Sequence, residues 1–457
     1  MATDCIAQLL FQGKNFPKPV VARFDVPHAS SDGGAILLKA LDAQLGLTGR
    51  LAACLQDGRQ PGKVQHQTME VIRQRVFGIA CGYADCNDAA RLADDAIHKL
   101  LVERDPITGP ALASQPTLSR FENAVGAREL IAMGHVLADT VIEPHRRRLH
   151  GRAARITIDF DPTDDPTHGQ QEFTFFNGHS DTWCSLPVVA TVTFNDEAEP
   201  FAVAAVLRPG NAPASRGAIG LLRRLGRQLR AAFPRAALRV RLDGGFASPQ
   251  MFAFLEAHGV EDVVAMASNP RLEKRARRLM GKARVLSRAT GRTAHLSGET
   301  RDAAKKWTRK RRVIIKAEVV RHPGRDPKNN PRFVVTNLTG PPQMIYEQIS
   351  CQRGDVENRL TELHHGLEMD RTSGSLFLAT QFRVLLTLAA DILFQELRRR
   401  AARTACADAQ VTTLRERLIK LAVWVERSVR RIVWPLPATF PWFPTWRSLA
   451  RAVGATT

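Results

Sequence analysis

The chain has 457 residues, and its 65 lysines and arginines against 45 aspartates and glutamates give a formal net charge of +20 and a pI near 10.4. That length provides for at least one large core, and that charge suits a polyanionic partner, nucleic acid before membrane. Seven scattered cysteines, none in a Cys-x-x-Cys pair, argue against a zinc ribbon or a disulfide framework, while no leader-like start and no unbroken run of eighteen apolar residues argue against secretion and membrane insertion, so a cytoplasmic protein is expected.

Residues 1–150 read as mostly helical, an expected DNA-binding or dimerisation region. Apolar residues recur at helical spacing over 34–45, with Ser31 and Asp32 available as caps, and again over 67–82, 87–103 and 127–149. A short helix is predicted after Pro116. It would expose Ser119 and Arg120, and an ordinary solvated helix start weighs more there than a DNA contact.

Residues 151–268 change character. Strand patterns rich in Val, Ile, Thr and Phe lie at 155–161, 186–194, 201–207 and 237–243. Asn177-Gly178 is a hairpin signal. An amphipathic helix with a basic face is predicted over 218–230, a second over 248–258, and a fifth strand over 262–267. Three strands in a meander, a crossover helix and a returning strand make an α/β fold, a mixed sheet flanked by helices.

The segment 269–342 is lopsided in charge. Arg309, Lys310, Arg311 and Arg312 close a run of cations, including Lys305 and Lys306, that faces few acids. Strands are predicted at 313–320 and 332–337, so the whole reads as an insertion of strands and basic loops suited to phosphate contact. From 343 the chain is helical again, with a buried helix over 376–397, a last helix over 411–431, and a tail in which Trp434, Trp442 and Trp446 stand among prolines and cover the core.

Three acids stand in three different settings. Asp161 ends the first strand run. Asp243 ends the fourth and is followed by Gly244-Gly245-Phe246. Glu357 lies in a helix-like stretch with Arg353 one turn before it. Carboxylates on strand ends and a later helix are a hard-oxygen donor set for two divalent cations, and cations about 3.5–4 Å apart can activate one oxygen and stabilise another in phosphodiester chemistry. Each acid also has an ordinary role. Asp161 opens a turn-like Asp-Pro-Thr, and Asp159 shares its strand face and competes as first ligand. Asp243 can start a turn, and Glu357 can pair with Arg353.

Several segments in order resemble the DDE transposases of bacterial insertion sequences, specifically the insertion sequence 1380 family. They are Asp159-Phe-Asp-Pro-Thr-Asp-Asp-Pro-Thr-His-Gly-Gln-Gln171, Phe175-Phe-Asn-Gly-His179, Ala205-Val-Leu-Arg-Pro-Gly-Asn211, Arg241-Leu-Asp-Gly-Gly-Phe246 and Cys351-Gln-Arg-Gly-Asp-Val-Glu-Asn-Arg359. The resemblance implies an RNase H-like catalytic core over 151–268, a strand-rich insertion over 269–342, and the glutamate in the helical part 343–457. It implies Asp161, Asp243 and Glu357 as a triad holding two Mg²⁺ or Mn²⁺ ions. It further implies terminal inverted repeats and target DNA as partners, a homodimer on DNA, and no small-molecule substrate; such a protein would sit with the bacterial nucleoid. The family motif around the glutamate has Tyr and Lys where this chain has Ser350 and His364. On a regular helix residues 350, 353, 357 and 364 share one face, so Arg353 and His364 are candidate phosphate contacts, as are His168 and Gln170 in the loop after the first acid. Two rivals stand beside this reading: a nuclease that cuts without joining, and a DNA-binding protein without catalysis. An RNA-binding protein lacks support, with no aromatic RNP-like strand.

Overall fold

The computed structural model describes residues 8–12, 17–178, 180–303, 307–372 and 374–456. The helical N-terminal region contains α1 (Ile36–Leu45), α2 (Thr68–Ala80), α3 (Gln115–Asn123) and α4 (Ala127–Arg148). Helix α2 opens with a reciprocal cap between Gln67 and Glu70.

The central sheet begins with β1 (Arg155–Pro162), whose Ile156, Ile158 and Phe160 are buried on one face while Thr157, Asp159 and Asp161 line the other. It pairs antiparallel with β2 (Val188–Phe194), which pairs antiparallel with β3 (Phe201–Val206). Helix α5 (Ala218–Ala232) then leads to β4 (Ala237–Leu242), parallel to β1. Helix α6 (Pro249–Ala257) leads to β5 (Glu261–Met266), parallel to β4. The order β3-β2-β1-β4-β5, with three antiparallel strands and two parallel ones, is RNase H-like.

The following segment differs from its sequence reading. In place of strands and loops alone it opens with a basic helix, α7 (Pro270–Thr290), capped by the Asn269 side chain and ended by Gly291 at positive φ. Its apolar stripe, Leu272, Ala276, Met280 and Ala283, was present in the sequence but crowded by cations. Strands β6 (Ala294–Asp302), β7 (Arg311–Val320), β8 (Lys328–Asn329) and β9 (Arg332–Thr336) follow. They continue the same sheet: β9 pairs with β5, β7 with β9, and β6 with β7, all antiparallel. Helix α7 packs on β6 and β7.

Helix α8 (Gly354–Thr361) comes next, flanked by wide π-type turns at Ile345–Ser350 and Glu362–Gly366. Helix α9 (Phe377–Arg400) is long and apolar enough to cross a membrane, yet 83% of its apolar window is buried inside the protein. It packs against α1, α2, α4 and β3, and one continuous core spans the N-terminal helices and the sheet. The helix expected over 411–431 ends at Ile419. Beyond it Val423 and Val425 are buried while Trp424 and Glu426 face solvent, a two-residue period, and Val423–Trp424 pairs with Ala29–Ser30. The final helix α10 (Phe443–Ala452) and Trp434, Trp442 and Trp446 pack against the core.

Candidate functional site

Strands β1 and β4 run in parallel with Leu242 opposite Phe160, so the next residues, Asp243 and Asp161, leave adjacent strands side by side. Asp243 caps a single tight turn, its Oδ1 accepting the Gly245 N–H at 2.7 Å. A β-carbon on Gly245 would lie 2.7 Å from Ala214 Cβ and 3.1 Å from that same Oδ1, so the turn closes only around glycine. Glu357 reaches the strand ends from α8, which packs against β1. It is exposed and forms no ion pair among the described residues.

The helix carrying Glu357 is held from behind. Arg359 pairs with Glu362, Arg398 Nη2 lies 2.7 Å from Glu362, and Arg398 Nη1 lies 2.7 Å from Glu199. Arg241 Nη1 donates to the Ile349 carbonyl at 3.2 Å. The alternative first ligand, Asp159, is committed elsewhere: fully buried, it takes two hydrogen bonds of 2.7 Å from Arg241, its neighbour across the β1–β4 pair. This buried fork leaves Asp161 as the first-strand carboxylate at the site.

Asp161 is pushed up to about 6. Burial is the largest cause; Arg353 opposes it, and Asp243, Glu357 and Asp159 add like-charge repulsion. Arg353 Nη2 donates to Asp161 Oδ1 at 2.5 Å and stands 4.0 Å from Asp243 Oδ2, so this cation pairs with the two aspartates and not with Glu357. The three carboxylates do not close within 4.8 Å of one another. Two aspartates on one guanidinium, with the Glu357 carboxylate acting on Asp161 from the facing helix and an acid whose charge is disfavoured, form a hard-oxygen donor set that fits a divalent cation.

His364 also reaches the site, its Nε2 2.7 Å from the Thr163 hydroxyl, two residues beyond Asp161. The π-type turns alter the phase of a regular helix, but Arg353 and His364 both meet the end of β1. His168 and Gln170 are exposed in the loop that follows.

The basic cluster divides. Arg311 is buried, forked onto Glu256 at 2.7 and 3.1 Å, with the rings of Phe252 and Trp307 each 5.0 Å away. Arg312 pairs with Glu299 and donates to the Leu338 and Gly340 carbonyls at 2.6 Å. Arg311 thus ties the insertion to α6 of the core and Arg312 is held within the insertion, so both of these predicted phosphate contacts are engaged inside the fold. Arg309 is 60% exposed beside Glu256, and Lys310 is exposed. Lys305 and Lys306 lie outside the described residues, as does His179. The cations earlier in the same basic segment, read from sequence as part of a strand-and-loop insertion suited to phosphate contact, stand on a helix, where Lys274, Arg278 and Lys282 are exposed and recur every four residues on one face.

Two further residues stand near the site: Arg208, whose Arg208-Pro-Gly-Asn211 segment reads from sequence as a turn first and a DNA contact second, and Asp165, to which the sequence reading gave no role. Arg208 is buried beside Asp243, donating to the Leu186 and Ala214 carbonyls at 2.9 and 2.6 Å, and burial lowers it to about 10. Asp165 is buried under the Thr372 hydroxyl and pushed up to about 8, again chiefly by burial. Away from the site, Asp32, Cys81 and His98 converge, but Lys420 Nζ lies 2.7 Å from Asp32, and this buried knot ties α1's entry to the C-terminal segment.

No curated protein matches the sequence. Among solved structures the chain is similar to the cryo-EM structure of the piggyBac transposase synaptic complex with hairpin DNA, at a TM-score of 0.43 and 10% identity, covering 94% of this chain and 83% of that one. The sequence model of the family described as Transposase DDE domain group 1 matches residues 12–455, and the chain therefore belongs to this DDE transposase family.

Proposed function

We propose that this protein is the transposase of a bacterial insertion sequence of the 1380 family, acting on the element's terminal inverted repeats in the cytoplasm, at the nucleoid. The observation that carries the reading is the convergence of Asp161 and Asp243, from two adjacent strand ends, on the Arg353 guanidinium, with Glu357 on the facing helix near enough to act on Asp161 by like-charge repulsion. Asp161, Asp243 and Glu357 would hold two Mg²⁺ or Mn²⁺ ions, which supply activation of the attacking oxygen and stabilisation of the leaving one. The chain's own groups do the rest. The buried fork of Asp159 and Arg241 fixes the strand ends. The Glu362–Arg398 pair sets the helix that presents Glu357. Arg353 is placed to take a DNA phosphate once it leaves the acids, and His364 keeps the Thr163 turn in place. Lys274, Arg278 and Lys282 on α7, with Arg309 and Lys310, supply sequence-independent attraction to the backbone. Two copies acting on two ends complete the proposed assembly.

The test is Mn²⁺-dependent cleavage of a DNA fragment carrying the flanking inverted repeat, with wild type beside Glu357→Gln. Cleavage by wild type alone, followed by joining of precut 3′-hydroxyl ends to target DNA, is the expected outcome. Cleavage without joining would make the protein a nuclease. Tight binding without cleavage by either would leave a DNA-binding protein, with Ser350 and His364 as the departures to repair.

A further inference from the structure

The ribbon that leaves β1 beyond Asp161 carries aromatic side chains that the proposed reaction does not use. Asp165–Pro166 pairs with Thr182–Ser185, and that strand pairs with Phe175–Asn177. Phe176 and Trp183 are cross-strand neighbours, edge to face at 6.3 Å, and they are 52% and 60% exposed. Beside Trp183 opens a cavity of about 610 Å³, rimmed by Thr167, Gln170, Gln171 and Thr174. Gln171 is spent on the Thr372 and Gly374 carbonyls, at 2.8 and 3.0 Å, so the exposed Gln170 amide is the group that offers both donor and acceptor there. The one carboxylate on the rim, Glu172, accepts the Phe377 N–H at 2.9 Å.

The tip is rigid. A β-carbon on Gly210 would fall 1.9 Å from the Cys184 carbonyl oxygen and 2.8 Å from that of Phe175, so the Arg208-Pro-Gly-Asn211 loop is seated directly on the ribbon. Asn177 Nδ2 donates to the Gly210 carbonyl at 3.1 Å. Phe173, 56% exposed, holds φ of +58°, a strained conformation for a bulky side chain, and its carbonyl accepts the Gly210 N–H at 3.2 Å. Strain of this kind persists where the surroundings over-determine it, and it gathers at functional sites.

We infer that the face of Phe176 and Trp183 is a stacking platform for unpaired nucleobases of the DNA strand beside the cleavage point. This rests on the transposase reading. Any base presents a π-face to such a platform, and the Gln170 amide can meet a base edge. Thr167 donates its N–H to the Trp183 carbonyl at 2.9 Å. Thr167 is six residues on from Asp161, so at about 3.3 Å per residue it lies no more than ~20 Å from the catalytic strand end, and the Trp183 backbone is one hydrogen bond beyond it. A strand crossing the carboxylates reaches it without leaving a protein of net charge +20.

The test uses the full chain with fluorescent oligo-dT of about 20 nucleotides and a duplex of equal length, read by anisotropy. Trp183→Ala and Phe176→Ala should each weaken oligo-dT binding by about tenfold, leave duplex affinity unchanged, and keep the wild-type melting temperature, because both rings are exposed. Trp183→Phe should retain binding and Trp183→Leu should lose it. Wild-type oligo-dT affinity in Trp183→Ala, or equal affinities for Trp183→Leu and Trp183→Phe, would overturn the inference. So would a loss of self-association in Trp183→Ala at unchanged oligo-dT affinity, which would assign the face to a second copy. Mn²⁺-dependent duplex cleavage by wild type, run in parallel, reports on the transposase reading separately.

Discussion

Replacing Arg353 with Gln should make the protein bind divalent cations more tightly, although it removes a residue assigned to the reaction. In the folded chain the guanidinium lies 2.5 Å from Asp161 and 4.0 Å from Asp243, so a metal ion must displace it. A hydrogen bond to a charged group contributes about 1.5–3 kcal/mol, and partial exposure of both partners places this one near ~2 kcal/mol. At about 1.4 kcal/mol per tenfold, Mn²⁺ should bind Arg353→Gln about 30-fold more tightly in the absence of DNA. Protons blur the effect, since Asp161 stands at about 6 and loses its opposing cation in the variant. Titration calorimetry at pH 8.5 keeps the carboxylate ionised in wild type, and a repeat at pH 6 should show a smaller gain. Mn²⁺ should also raise the DNA affinity of wild type more than that of the variant, because only wild type releases a guanidinium. Equal Mn²⁺ affinity at pH 8.5 would refute the idea that Arg353 and metal compete for the same carboxylates.

The two aspartates of β1 should part company on mutation. Asp159→Asn breaks a buried fork and should cost about 3–5 kcal/mol in chemical denaturation, whereas Asp161→Asn should leave stability unchanged or higher while abolishing cleavage. Similar destabilisation by both would remove the distinction between scaffold and ligand. Asp243→Asn should abolish cleavage with end binding nearly intact, and loss of both together would make it a folding residue. Asp165 carries a pH signature. Its proton is favoured by the fold, so its contribution is complete below pH about 4 and is lost as pH rises to about 8, by up to ~1.4 kcal/mol per pH unit. The melting-temperature advantage of Asp165→Asn should therefore grow toward alkaline pH, and a gap constant across pH 5–8.5 would contradict it. Finally, alanine at Lys274, Arg278 and Lys282 together should flatten the log–log salt dependence of DNA binding by about 2.7, at ~0.9 per phosphate contact. An unchanged slope would take α7 off the DNA path.

Much of the catalytic sheet was legible because its strands carry long apolar runs bounded by turn residues. The strand ends that bring Asp161 and Asp243 together follow from those runs and from the handedness of a crossover helix. Charge density misled where it masked period. The stripe of α7 was present, but sixteen cations over 271–312 read as loop before they read as helix. The two-residue alternation at Val423–Val425 was read through as a continuation of the preceding helix. Pairing was beyond reach for another reason. Nothing local shows that Arg241 faces Asp159, or that Arg311 is sandwiched between Phe252 and Trp307, because register and tertiary packing decide which cation is spent inside the fold and which is left for a partner.

The joining of β9 to β5 has a consequence for anyone seeking a smaller version of this protein. The insertion does not hang from the catalytic core; it closes the core's open flank, where β5 would otherwise present a row of unpaired N–H and C=O groups. Cutting out residues 267–341 would bare that flank, and the shortened protein would recruit a strand from a neighbour and precipitate. Trimming has to start at the outer hairpin of β6 and β7, and a replacement strand must be left in the place of β9.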